Sequence, residues 1–264
     1  MGPVLSVRAE YLHWVDFQSR FRDRFGYRYR FLSRIFFPKR NDSSWGREGL
    51  DLKVEQLLPR KGFYVELGAN DGYTQSNTLR LEIFGSWRGV LIEPLSSVFI
   101  ECVKNRNPKR NSIFQAACVA EGFNRTCLEM AVNNQDKFTR LWASALGLES
   151  TIRGNAEHSR ALKPGVDNEH LARETVPART LTSILIEANA PQDIDFMSID
   201  VEGAELEVLK GLDFRTFMPV WICVETSDYS AVSVLLKQEG YRLHDKLSRH
   251  DYMFHRARRR HPNG

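Results

Sequence analysis

The sequence predicts an α/β fold, a Rossmann-like, doubly wound and mostly parallel sheet, and three observations carry the prediction. Apolar runs of strand length recur at 63–67, 89–93, 112–119, 194–199 and 219–225. Helix-like stretches lie between them at 75–84, 95–105, 179–189, 203–210 and 229–239, and such alternation argues for parallel strands with helices on both faces. The runs then end in glycines and carboxylates, at the strand ends where open α/β sheets bind their ligands.

Taken in order, residues 1–50 form a basic, aromatic N-terminal arm. Between Phe17 and Arg40 there are eight basic residues, eight aromatics and one acid, Asp23. Such an arm can pack its rings on the domain, contact an acidic glycan, or make peripheral contact with an anionic membrane surface. "NDSSWGREG" reads as a polar loop and "LDLKVEQLLP" as a short amphipathic helix. The main domain is expected over 51–256. Its end differs from its middle: "GYRLHDKL" and "DYMFHRA" are strand-like runs with only a short turn region between them, which predicts a C-terminal antiparallel hairpin at the sheet edge. Residues 123–178 break the rhythm between the third and fourth core strands and are expected to be an inserted substrate cap. Within them "RTCLEMAV" predicts an extra strand pairing with "ETVPART". A basic tail follows at 257–264.

Composition narrows the class. The chain has 264 residues, 42% hydrophobic and 27% charged, with a net charge of +4, ordinary values for a globular protein. Cys102, Cys118, Cys127 and Cys223 show no zinc or redox spacing and read as buried free thiols of a reducing compartment. No early segment resembles a signal peptide, and no run approaches the ~18 apolar residues of a membrane span. The expectation is a cytoplasmic protein, membrane-peripheral only through its arm. Nucleic acid is not an expected partner, and the oligomeric state is not readable.

The chemistry concentrates at strand ends. "GFYVELGANDGYTQSNT" opens as a buried strand and turns at Glu66, Gly68, Asn70, Asp71 and Gly72. Gly68 can take the backbone angles of a tight turn, and Gly72 can let a ligand or the following helix come close. Glu66 would repel a phosphate but can accept a hydrogen bond or face a cation. This spacing is not the G-x-G-x-x-G dinucleotide fingerprint, which disfavours an NAD enzyme. "GVLIEP" ends in Glu93, placed to accept both hydroxyls of a ribose. "DFMSIDVEGAELEVLKG" ends its strand at Asp200 and opens a helix with Glu202 and Gly203, with Ala204, Val208 and Leu209 as its buried face. "VWICVET" ends at Glu225. Four acids at four strand ends suit S-adenosylmethionine, which carries a sulfonium, an ammonium and a ribose diol but no phosphate.

As a set these stretches resemble the FkbM-type methyltransferases. The resemblance covers roughly residues 62–255 and rests on "GFYVELGANDGYTQSNTLRLE", "WRGVLIEP", "FQAACVA", "RTLTSIL" and "IDVEGAELEVLKG". It implies a Rossmann-like domain using S-adenosylmethionine to methylate hydroxyl oxygens of sugars, glycans or related small molecules. It implies that Glu66, Gly68, Asn70 and Gly72, with Asp71 between them, form the first cofactor loop. Ser76, Asn77 and Thr78 would face the methionine end, Glu93 the ribose, and Ala116–Ala117 the adenine. Ser198 departs from the lysine the family often has there, and Thr182 from its usual aspartate; both bear on the substrate side.

Methyl transfer is an in-line displacement, so positioning and desolvation dominate. An alcohol acceptor also benefits from a general base. Asp200 is the first candidate, Glu202 the second, and His158 or His170 of the insertion a third. No motif requires a metal. A competing reading is a methyltransferase-like domain serving as a membrane or partner adaptor without turnover.

Overall fold

The computed structural model describes residues 44–133, 143–146 and 171–256. The arm before Ser44, most of the insertion with His158 and His170, and the basic tail lie outside the described residues. A 3-10 turn at Arg47–Gly49 leads into helix α1 (Leu50–Leu57), then β1 (Phe63–Leu67), α2 (Leu79–Phe84), β2 (Arg88–Ile92), α3 (Ser96–Asn105), β3 (Asn111–Phe114) and β4 (Ala117–Cys118). The inserted region supplies β5 (Cys127–Asn133), β6 (Ala143–Leu146) and β7 (Leu171–Arg179). The chain continues through α4 (Leu181–Glu187), β8 (Asp193–Ile199), α5 (Glu205–Lys210), β9 (Met218–Glu225), α6 (Tyr229–Gln238), β10 (Arg242–Lys246) and β11 (Asp251–His255).

The main sheet has seven strands in the order β10-β11-β9-β8-β1-β2-β3. β1 lies parallel between β2 and β8, with Glu66 opposite Leu91 on one side and Ser198 on the other. β11 runs antiparallel to both β9 and β10, so the hairpin's second strand pairs with β9 and its first forms the edge of the sheet. Strand order reverses between β1 and β8, which opens the ligand crevice of such sheets beyond their carboxyl ends.

The period-2 alternation of a strand divides the core. Phe63, Val65 and Leu67 join Val90, Ile92, Met197, Ile222 and Val224 on one face, under Leu181, Ile184 and Leu185 of α4, Val208 and Leu209 of α5, and Val232 and Leu236 of α6. Tyr64, Leu91, Phe196 and Cys223 share the other face with Leu50 and Val54 of α1, Leu81, Trp87 and Cys102. Val208 and Leu209 are buried as expected, while Ala204 is only half-buried.

Two elements correct the sequence reading. The run 112–119 is one apolar stretch but two strands: β3 stays in the main sheet, and β4 leaves to pair with β7 in a four-stranded sheet ordered β4-β7-β5-β6. β5 and β7 pair antiparallel from Cys127–Pro177 to Asn133–Leu171. A separate core of Leu95, Val119, Leu128, Met130, Val176 and Ala178 lies beneath this small sheet. Helix α2 begins only at Leu79, not at 75, because Ser76 and Thr78 are committed elsewhere and the Ser76 hydroxyl accepts the Leu79 N–H at 3.0 Å. Cys102, Cys118 and Cys223 are buried thiols, but Cys127 is exposed. Among the described residues no helix is long and apolar enough to cross a membrane.

Candidate active site

The site grows from the end of β1. Gly68 takes φ +71°, in the region that glycine alone enters without strain. Its N–H and that of Ala69 both donate to the Ile92 carbonyl at 3.0 Å, folding the turn over the end of β2. Asn70, at φ 51°, aims its N–H at Glu93 Oε2, 2.9 Å away. The other oxygen, Oε1, accepts the Leu95 N–H at 3.0 Å. Each Glu93 oxygen therefore holds one backbone donor and keeps a second lone pair, the arrangement a vicinal diol needs. Burial raises the Glu93 carboxyl to about 7 against the pull of those two N–H groups.

Asp71 is turned inward. Its Oδ1 accepts from the N–H groups of Tyr73 and Thr74, and Oδ2 from the Thr74 hydroxyl, an Asx turn that shapes the loop. Gly72 (φ +71°) is close neither to the following helix nor to an open face. A β-carbon there would lie 2.8 Å from Cγ of Arg106 and 2.9 Å from the Cys102 sulfur.

Glu66 is buried and its carboxylate is engaged within the protein. It accepts from the Ser76 hydroxyl at 3.0 Å, the Asn77 N–H at 2.8 Å and the Thr78 hydroxyl at 2.6 Å. The cation it faces is the Arg106 guanidinium, at 3.4 Å. Asn77 donates from Nδ2 to Ser198 Oγ at 3.0 Å, so the serine at the departure from the family pattern is bridged by an amide. Asn77 Oδ1 is buried and has no hydrogen-bond partner among the described residues. Thr182 spends its hydroxyl on the Gly211 carbonyl and the Asp213 N–H, which makes that departure a matter of helix packing.

Asp200 follows β8. Its N–H donates to the Leu67 carbonyl at 3.2 Å, and its own carbonyl lies against Gly68. Burial, then the neighbouring carboxylates of Glu225 and Glu202, hold the Asp200 carboxyl well above the usual range, and it hydrogen-bonds Glu225. Glu202 is exposed with φ 53°. The turn below it is fixed by Glu205, which accepts the Gly203 N–H at 2.6 Å and the Thr226 hydroxyl at 3.3 Å; burial raises Glu205 as well. Ala116 is buried and Ala117 half-buried. They follow β3, whose Phe114 carbonyl accepts the Glu93 N–H at 3.0 Å.

The structure thus ties Glu93 to Asn70, Gly68 to Asp200, and Glu66 to Ser76, Asn77 and Thr78. The residue that sequence reasoning missed is Arg106. It stands in "KNRNPKR", whose polarity reads as a solvated turn, and nothing in that run marks one arginine for burial. These residues fit S-adenosylmethionine at one observed feature, the Glu93 carboxylate with a free lone pair on each oxygen; the glycine turn is closed by the Asp200 carbonyl.

Comparison with known proteins agrees with this reading. The sequence matches the family described as methyltransferase FkbM domain over residues 66–243, roughly two-thirds of the chain. Similar solved structures include TrmK of M. capricolum with S-adenosylhomocysteine, at 13% identity and TM-score 0.41, covering 80% of this chain and 68% of that one. Methyltransferase FkbM from Methylobacillus flagellatus KT is similar at 14% identity and TM-score 0.40, covering 74% of this chain and 44% of that chain. Precorrin-6y C5,15-methyltransferase from Geobacter metallireducens GS-15 has 12% identity and TM-score 0.41, covering 81% and 90%. No curated protein matches the sequence. The matched span runs from Glu66 through Gly68, Glu93 and Asp200 to β10, and on it the chain belongs to the FkbM family of S-adenosylmethionine-dependent methyltransferases.

Proposed function

We propose that the protein methylates a hydroxyl oxygen of a sugar, glycan or related small molecule, with Asp200 as the general base. The observation that carries this reading is the Asp200 carboxyl itself: half-buried at the end of β8, beside the glycine turn, and made unusually basic by burial and by Glu225 and Glu202. An amine acceptor needs only to arrive deprotonated, whereas an alcohol must lose its proton during or after attack. A carboxylate of raised basicity is suited to that task.

S-adenosylmethionine, when bound, supplies an electrophilic methyl group on a positively charged sulfur. The protein's residues do the rest. Glu93 accepts from the ribose hydroxyls through its remaining lone pairs. The Gly68–Asn70 turn would hold Glu93 in place through the Asn70 N–H, and Asp200 would accept the proton that the acceptor hydroxyl loses on methylation. Neutralising the sulfonium removes the charge, so alignment at about 3–3.5 Å and exclusion of water account for most of the rate. Glu202 lies near enough to raise Asp200 and is the second candidate for the base.

The test is methyl transfer from labelled S-adenosylmethionine across a panel of sugar nucleotides, glycans and small alcohols, with products analysed by mass spectrometry. A methyl ether formed by the wild type and lost in Asp200→Asn supports the reading. Transfer to nitrogen or carbon overturns the hydroxyl assignment. Failure to bind S-adenosylhomocysteine would point instead to an adaptor without turnover.

A further inference from the structure

Arg106 has a relative exposure of 0%, yet it is not used by any step above. Nε donates to Glu82 Oε2 at 2.8 Å. Nη1 reaches Ser76 Oγ at 3.0 Å, the Gly72 carbonyl at 3.3 Å and Glu66 Oε2 at 3.4 Å. Nη2 donates to the Tyr64 hydroxyl at 2.6 Å and to Thr78 Oγ1 at 2.9 Å. Apart from Glu82, these partners belong to β1 and to the loop of residues 72–78. Burial would lower the affinity of the guanidinium for its proton, but Tyr64, Glu82 and Glu66 reverse that and raise it.

The pattern is directional. Burying an ion pair seldom adds stability over a well-packed apolar replacement, so a wholly buried arginine is weak evidence for stability. What a planar fork of five donors does well is fix several acceptors at set angles. Here the acceptors come from Gly72, Ser76 and Thr78, and the same Ser76 and Thr78 hydroxyls donate to Glu66. The glycine at 72 is explained by the same side chain, whose Cγ would lie 2.8 Å from any β-carbon. At the other end this loop continues into Asn70, which is tied to Glu93.

We propose that Arg106 is a positioning residue for the methyl-donor site. It touches no donor atom. From beneath, it holds residues 72–78 in one geometry, so that the Asn70–Glu93 contact and the Asn77 side chain are set before the donor arrives. Preorganisation of this kind appears as affinity, because the ordering cost is met during folding and not on binding. The inference rests on the methyltransferase reading and adds to it a residue outside the donor's contact shell.

The test compares wild type with Arg106→Lys, Arg106→Ala and Thr78→Val. S-adenosylhomocysteine is titrated by calorimetry well below each melting temperature, and donor and acceptor KM are measured separately. Arg106→Lys keeps a charge but loses the fork, and its Kd for S-adenosylhomocysteine should rise about tenfold or more. Donor KM should rise with it while acceptor KM stays put. Free guanidinium at millimolar concentration should restore binding in Arg106→Ala. A lower melting temperature with unchanged Kd assigns Arg106 to stability alone and overturns the proposal. If neither Arg106 variant folds, Thr78→Val decides. It keeps the side-chain shape and removes the hydroxyl that links the Arg106 fork to Glu66, and should weaken binding about three- to tenfold; a wild-type Kd there overturns the proposal too. A wild type that does not bind S-adenosylhomocysteine sinks the methyltransferase reading and this inference together. A wild type that binds, with variants that bind equally, sinks only this one.

Discussion

The α-carbon of Gly68 lies against the main-chain carbonyl of Asp200, so closely that a β-carbon on residue 68 would sit 1.8 Å from that oxygen. The turn proposed to receive the donor and the residue proposed as the general base are in direct backbone contact. Substitution at either position is therefore felt at the other.

Gly68→Ala should disable both functions. The φ of +71° costs a residue with a side chain roughly 1–2 kcal/mol, and the collision adds to it because the Asp200 backbone is held by β8. We expect loss of S-adenosylhomocysteine binding in calorimetry and a lower melting temperature. Normal binding would show that the turn does not meet the donor.

If Glu93 holds the donor's ribose, binding should depend on pH. A carboxyl raised to about 7 is partly protonated in the empty protein near neutrality, and a ribose diol favours its ionised form. Affinity should therefore fall as pH drops below 7, by up to about tenfold per unit. Glu93→Gln should bind weakly, by about 1.5–3 kcal/mol, and without that pH dependence. A flat wild-type profile between pH 5 and 8 would remove Glu93 from the donor contacts.

The same group acts on stability with the opposite trend. Its folded-state value exceeds the ordinary 4.5, so the folded protein binds the extra proton. The stabilisation is fully present below pH ~4.5 and is lost as pH rises through about 7, with a span on the order of 3 kcal/mol. Urea midpoints of ligand-free Glu93→Gln should show a smaller loss across this window than wild type.

Asp200→Asn should lower turnover about 10²–10⁴-fold while leaving donor affinity nearly unchanged. In the wild type the rate should rise with pH as the raised Asp200 carboxyl gives up its proton, and the asparagine variant should lose that rise. Near-normal turnover would move the search for a base to Glu202, His158 and His170.

Tyr64→Phe removes one acceptor from Arg106 without changing shape. Tyr64 is wholly buried, and the change leaves charged and polar neighbours partly unpaired, for a cost of about 1–3 kcal/mol. Equilibrium unfolding in urea measures it; an unchanged midpoint would mean that Arg106 is held adequately by the rest of its partners.

Much of this was legible in the sequence because it follows from alternation and from strand ends. The period of apolar residues locates β1, β2, β8 and β9, and Glu93 and Asp200 are conspicuous as acids closing such runs. What was not legible depends on contacts across the chain. Nothing local says that the run 112–119 divides between two sheets, since both halves are equally apolar. Ser76 and Thr78 look like donor-facing polar residues or the start of a helix, but their hydroxyls turn to Glu66, which lies ten and twelve positions earlier in the chain. Arg106 is hidden for the same reason: its burial is decided by Glu82, Tyr64 and the 72–78 loop, and not by its neighbours in sequence.

The partners of Arg106 also bear on the order of assembly. They are all drawn from one stretch of chain, between Tyr64, which lies 42 positions away, and Glu82, which lies 24 away. The sheet's other half must return from much farther: the Phe63 N–H is met by Asp195, 132 positions on. Closing the larger loop costs more chain entropy, and contacts of short separation form sooner. Amides of β1, α2, β2 and β3 should thus gain protection from hydrogen exchange as one early block during refolding. The pairing of β8 with β1, which brings Asp200 to Gly68, should follow as a later and separable step.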